Sequence, residues 1–120
     1  ELLLVNSFKT LLEARGSAVN RHNVYPKGSS TPLFTDLHDK TNGVLYEAKA
    51  DATRNSVRAG LGQLLDYRRY VAAMRCRLLL PARPHEDLLN LLAEYDVDAV
   101  WREGEGQSFH IFTGQDARAF

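Results

Sequence analysis

The chain has 120 residues, of which 44% are apolar and 25% charged, with eight glycines and four prolines. That balance suits one globular domain over residues 1–120 and excludes a collagenous, a disordered or a disulfide-stapled chain. Formal net charge is zero, with 15 basic and 15 acidic side chains, and this speaks at first against a nucleic-acid partner.

Leu2, Leu3, Val5, Phe8, Leu11 and Leu12 recur at helical spacing, and Gly16 stands where a helix would stop. A first helix is predicted over about 1–15. No basic segment precedes the apolar start, so it is not read as a signal peptide. No apolar run approaches the ~18 residues of a membrane span, and no membrane partner is expected. Because the first residue is not Met, the expectation is a segment of a longer, multidomain protein. A short strand within 18–25 leads into a loop rich in Pro, Gly and Ser.

LFTDLHD and VLYEAKA follow as two strand-like runs around KTNG, whose Asn42-Gly43 pair is a turn signal. A turn centred between Thr41 and Asn42 sets Asp36 opposite Glu47, Phe34 opposite Lys49 and His38 opposite Leu45. Strand alternation then gathers Phe34, Asp36, His38, Leu45, Glu47 and Lys49 on one face. The other face, with Leu33, Leu37, Val44, Tyr46 and Ala48, is apolar and belongs against a helix.

A long helix is predicted over about 55–73, capped by Asn55 or Ser56. Gly60 and Gly62 each cost it roughly 1 kcal/mol relative to Ala, a hint that something approaches the backbone closely. CRLLLP reads as a buried strand, PHEDLLNLLAEYD as a helix, VDAVW as a strand, GEG at 104–106 as a turn and SFHIFTG as a last strand. The fold class is therefore α/β: a central mixed sheet flanked by helices, its later strands parallel. Cys76 is the only cysteine, which precludes an internal disulfide and points to a reducing, cytoplasmic setting.

Charge is distributed unevenly. Residues 49–83 hold eight basic groups (Lys49, Arg54, Arg58, Arg68, Arg69, Arg75, Arg77, Arg83) against Asp51 and Asp66. Residues 84–120 hold two basic groups against eight acids. So polarised a chain can offer a basic face to phosphates while neutral overall, although a solvated helix face would look the same.

Asp36, Glu47 and Lys49 carry the chemistry. Two carboxylates across a hairpin can share a hard divalent cation, which activates water and polarises a phosphodiester. A lysine on the same face can orient that water and offset developing charge. An exposed ion-pair ladder would give the same triplet, but here the opposite face is apolar. Gln63 and Tyr67 follow at i and i+4 on one helical face. Replacing either acid is expected to leave metal-free stability unchanged or raised, because close carboxylates repel. The four histidines make no zinc spacing with Cys76, and Trp101 is read as packing.

TDLHD, YEAK and GQLLDY together resemble the PD-(D/E)XK nuclease superfamily, in its RecB-like branch with a Q-x-x-x-Y motif. The likeness spans about residues 33–70, with Thr35 standing where the motif's proline would be. It implies a restriction-endonuclease-like core in the order α-β-β-β-α-β-α-β. It further implies Asp36, Glu47, the Ala48 carbonyl and Glu13 as metal ligands, with Mg²⁺ as cofactor and Mn²⁺ as substitute. Lys49 and Gln63 would be catalytic, and Tyr67, Arg54, Arg58 and Arg68 would contact DNA. The function implied is a DNA endonuclease, similar to the C-terminal cleavage module of a bacterial restriction enzyme, the modification-dependent kind included. A base-reading domain would lie elsewhere in the parent chain, and two copies would pair on DNA to cut both strands. The rivals are a repair or recombination nuclease of the same fold and a catalytically silent DNA-binding or interaction module.

Overall fold

The computed structural model describes residues 1–104, 108–114 and 116–120. Helix α1 (Leu2–Ala14) buries Leu4, Phe8 and Leu12 along one side, so Leu4 takes the place that the predicted stripe gave to Leu2 and Leu3, which are 71% and 79% exposed. Two short strands, β1 (Val19–Asn20) and β2 (Asn23–Val24), follow it. The run at 33–39 is not one strand but two, β3 (Leu33–Phe34) and β4 (Leu37–Asp39). β3 leaves the main sheet and pairs with β2, setting Phe34 opposite Asn23. Phe34 therefore does not face Lys49, as continuous pairing would require.

β4 pairs with β5 (Val44–Ala48) in the expected register, Leu37 to Tyr46, His38 to Leu45 and Asp39 to Val44. The buried Asp39 carboxylate holds the turn, accepting from the Asn42 backbone N–H at 3.1 Å and side-chain amide at 2.9 Å. Gly43 has φ +69°, the left-handed backbone for which glycine is suited.

Helix α2 (Arg54–Tyr67) starts and stops earlier than predicted. Thr53 caps it, its hydroxyl accepting from the Ser56 N–H, so neither Asn55 nor Ser56 is the cap. Beyond Tyr67 the chain turns instead of continuing to residue 73. Strand β6 (Arg75–Leu80), helix α3 (Glu86–Glu94) and strand β7 (Val97–Arg102) complete the parallel part. β8 (Phe109–Phe112) and β9 (Ala117–Ala119) then close the sheet antiparallel. Parallel pairing thus stops at β7, and β9 is an element that the sequence pattern does not predict. The turn assigned to 104–106 falls largely outside the described residues.

The seven strands run in the order β1-β4-β5-β6-β7-β8-β9, with β5, β6 and β7 parallel. The protein is therefore α/β, a mixed central sheet with helices on both faces. Leu45, Leu78, Leu80, Ala99 and Trp101 pack under α2 and α3. Val44, Tyr46, Ala48, Leu79 and Val100 pack under α1, so the apolar hairpin face does meet a helix. Among the described residues no helix is long and apolar enough to cross a membrane.

Candidate metal centre

The end of β5 carries Glu47, Ala48 and Lys49, at the carboxyl edge of the parallel strands where open α/β sheets commonly place ligands. Asp36 sits in the break between β3 and β4. Its Oδ2 accepts the Ala48 backbone N–H at 2.9 Å, which fixes the carboxylate across from Glu47. Ladder pairing begins only at Leu37, so this one bond keeps the register argument valid for Asp36. Lys49 is anchored through its backbone N–H to the Leu79 carbonyl at 3.0 Å. Its Nζ lies 3.8 Å from Glu47 Oε2, with only 17% of the side chain exposed.

A third acid completes the group, and it is Glu1. One oxygen each from Glu1, Asp36 and Glu47 lies within 4.8 Å of the others. Glu13 is on the same helix but more than three turns further on, ~18 Å at the helical rise, and is exposed. The helical acid expected near the metal is thus placed at the first residue of the chain, not at Glu13. Sequence could have found it: α1 must cover the Tyr46 face, and its first turn falls beside the hairpin's open end.

Glu47 is 3% exposed, and its Oε1 has no hydrogen-bond partner. Burial pushes its carboxyl up to about 9, and the neighbouring Asp36 and Glu1 add to the rise while Lys49 opposes it. The donor set is all hard oxygen, with a buried orphan atom and crowded negative charge, which fits a divalent cation such as Mg²⁺. Glu47 on β5, Asp36 in the break between β3 and β4, and Glu1 at the N-cap of α1 would hold it.

Helix α2 closes the opposite side. Gly60 is the reason it comes so near: a Cβ there would fall on Leu78 Cδ1 and lie 3.4 Å from Lys49 Cγ. A Cβ at Gly62 would meet nothing within 4 Å, so only one of the two glycines marks a close approach. Gln63 and Tyr67 lie along this edge. Burial raises the Tyr67 phenol, Gln63 opposes the rise by hydrogen bonding to it, and the charges of Glu47 and Asp36 reinforce it. Gln63 Oε1 is buried and unpartnered.

The arginines expected to meet DNA point elsewhere. At ~100° per residue, Arg54 is ~180° round α2 from Gln63, and Arg58 and Arg68 are each ~140° away. Arg54 also pairs with Asp87 at 2.6 Å. Arg75 and Arg77 both bind the buried Asp98, and Arg69 binds Asp66. Besides Lys49, the cations that share a surface with the carboxylates are Lys9 and Arg21. They line a groove of about 410 Å³ between α1 and β1, whose wall includes Glu1 and Asp36. Trp101 is buried, as expected of packing, and so is Cys76. His38 is buried on the hairpin, with Nδ1 2.6 Å from His22 Nε2. No family model matches this chain, and no curated protein and no solved structure matches it significantly.

Proposed function

We propose that the chain is a Mg²⁺-dependent nuclease domain of the PD-(D/E)XK kind, hydrolysing phosphodiester bonds in DNA. The observation that carries this reading is the joining of three carboxylates and one half-buried lysine at the end of β5. A bound Mg²⁺ would supply a Lewis acid and a more acidic water. The protein's own groups have definable tasks around it. Asp36 is held in place by the Ala48 N–H. Glu47, its carboxyl raised by burial, would give up its proton to serve as a ligand. Lys49, 3.8 Å from Glu47, can orient the attacking water and offset charge on the phosphate. Gln63 has a buried oxygen free to receive a hydrogen bond from that lysine or water.

In the parent protein this unit would be the cleavage module of a cytoplasmic restriction enzyme, with base reading done by another domain and two copies meeting on DNA. A repair or recombination nuclease is the second reading, and it gains from two exposed aromatic residues, Tyr25 and Phe34, the latter two positions before Asp36. The test is incubation with plasmid and single-stranded DNA in Mg²⁺ or EDTA. Lys49→Ala should abolish cleavage, a loss of at least about 10²-fold, while still binding Mg²⁺. Cleavage that persists in EDTA or in Lys49→Ala would defeat the assignment, and no cleavage by the wild type in Mg²⁺ would leave a binding module.

A further inference from the structure

Resting on the nuclease reading, we infer that the β2–β3 ribbon is a stacking platform that takes an unpaired strand and leads it into the carboxylate site. The ribbon is held by the strand pairs Asn23–Phe34 and Val24–Leu33. One further bond, from the Thr35 N–H to the His22 carbonyl at 3.0 Å, extends it towards Asp36. Alternation gives it two unlike faces. Val24 and Leu33 turn inward onto the core under α2. Asn23, Tyr25 and Phe34 turn outward, with Tyr25 71% and Phe34 50% exposed. Tyr25 follows β2 directly, and the same alternation carried one residue on sets it diagonal to Phe34, a spacing of roughly 7–8 Å between paired strands.

Two exposed aromatic side chains in a ribbon this small contribute nothing to the core. Their surroundings say what could cover them. Arg21 Nε donates to the Thr35 carbonyl at 3.1 Å, so a guanidinium sits at the residue that separates Phe34 from Asp36. Arg21, Lys9 and Lys27 are all exposed. Arg21 and Lys9 share with Asp36 the groove that runs from the carboxylates along α1. Aromatic rings flanked by cations, ending at a candidate phosphodiesterase centre, match the chemistry of an unpaired nucleic-acid strand: bases stack on the rings while the basic groove follows the phosphates. A paired duplex offers its bases no access to Tyr25 and Phe34.

The experiment measures binding of a fluorescent single-stranded DNA oligonucleotide and of its blunt duplex to the 120-residue chain in EDTA, where no cleavage occurs. The single strand should bind at least about tenfold more tightly. Tyr25→Ala and Phe34→Ala should each weaken single-strand binding by about tenfold, within the range of one lost base stack. Their affinity for duplex should be unchanged, and Phe34→Tyr should restore the loss. Both residues are exposed, so thermal melting should show both variants folded. Equal affinity for duplex and single strand, or wild-type affinity in both alanine variants, would overturn the inference. So would a Phe34→Ala variant that only converts a dimer to a monomer, which would make the patch a self-association surface. The two readings fail separately: duplex cleavage in Mg²⁺ without strand preference rejects the ribbon alone, and strand binding without cleavage rejects the nuclease alone.

Discussion

Asp36 and Glu47 are both acids, yet their environments differ enough that replacing them should have opposite effects. Glu47 is buried with its carboxyl raised to about 9 against an ordinary 4.5. Between those values the unfolded chain has lost a proton that the folded protein keeps, so stability falls as pH rises through that window. Glu47→Gln removes the dependence. In metal-free solution at pH 8 it should be more stable than the wild type by at least about 1 kcal/mol, since holding a proton across one pH unit costs the fold ~1.4 kcal/mol. At pH 4 the two should melt alike, and Mg²⁺ should stabilise the wild type only. Equal slopes of melting temperature against pH would show that Glu47 is not held protonated. Asp36 departs from the simple repulsion argument. Its Oδ2 accepts the Ala48 N–H, so Asp36→Ala leaves that donor unmet and should cost about 1 kcal/mol. Charge repulsion was legible from the hairpin register; the bond was not, because it depends on the chain breaking between β3 and β4.

Helix α2 separates two glycines that look equivalent in sequence. Gly60 faces β6, where an added methyl would strike Leu78 and come into ordinary contact with Lys49. Gly62 faces open space within the same helix. Gly60→Ala should therefore destabilise by about 1–3 kcal/mol through overpacking against Leu78. Gly62→Ala should stabilise by about 0.5–1 kcal/mol, the ordinary gain in helix propensity. Chemical denaturation of both variants decides it, and effects of the same sign would mean that α2 does not pack on Gly60. Periodicity located this helix but could not settle its ends. The Thr53 cap depends on a side-chain bond, and the stop at Tyr67 on a turn that brings Val71 onto the core. Likewise the alternation in LFTDLHD is real, yet the strand divides at Thr35. There Thr35 satisfies the His22 N–H with its hydroxyl and draws Phe34 into a separate ribbon. Local pattern specifies that residues are extended; which partner they pair with is decided by tertiary packing.

Over the whole molecule, the uneven charge of the sequence is largely cancelled by folding. Acids of the final third reach back to the basic middle, with Asp87 on Arg54, Asp96 and Asp98 on Arg75, and Asp98 on Arg77. A stretch that reads as a basic face is thus in part a set of internal ion pairs. Its remaining exposed members on α2, Arg58 and Arg68, point away from Gln63. Apart from Lys49, the cations that share a groove with the carboxylates come from the segment that looked neutral. Residues 1–48 carry five groups of each sign, but Glu1, Asp36 and Glu47 gather at one point. Lys9 and Arg21 line the groove that leaves it. If phosphates follow that groove, log affinity against log salt should lose about 0.7 of slope for each contact removed from a single strand. Lys9→Ala and Arg21→Ala should each show that loss, and the double variant about twice as much. Arg54→Ala and Arg58→Ala should keep the wild-type slope, and Arg54→Ala should melt almost as the wild type does, because its pair with Asp87 is exposed to solvent. The reverse pattern, with slope lost only in the α2 variants, would move the nucleic-acid path across the helix and away from the carboxylates.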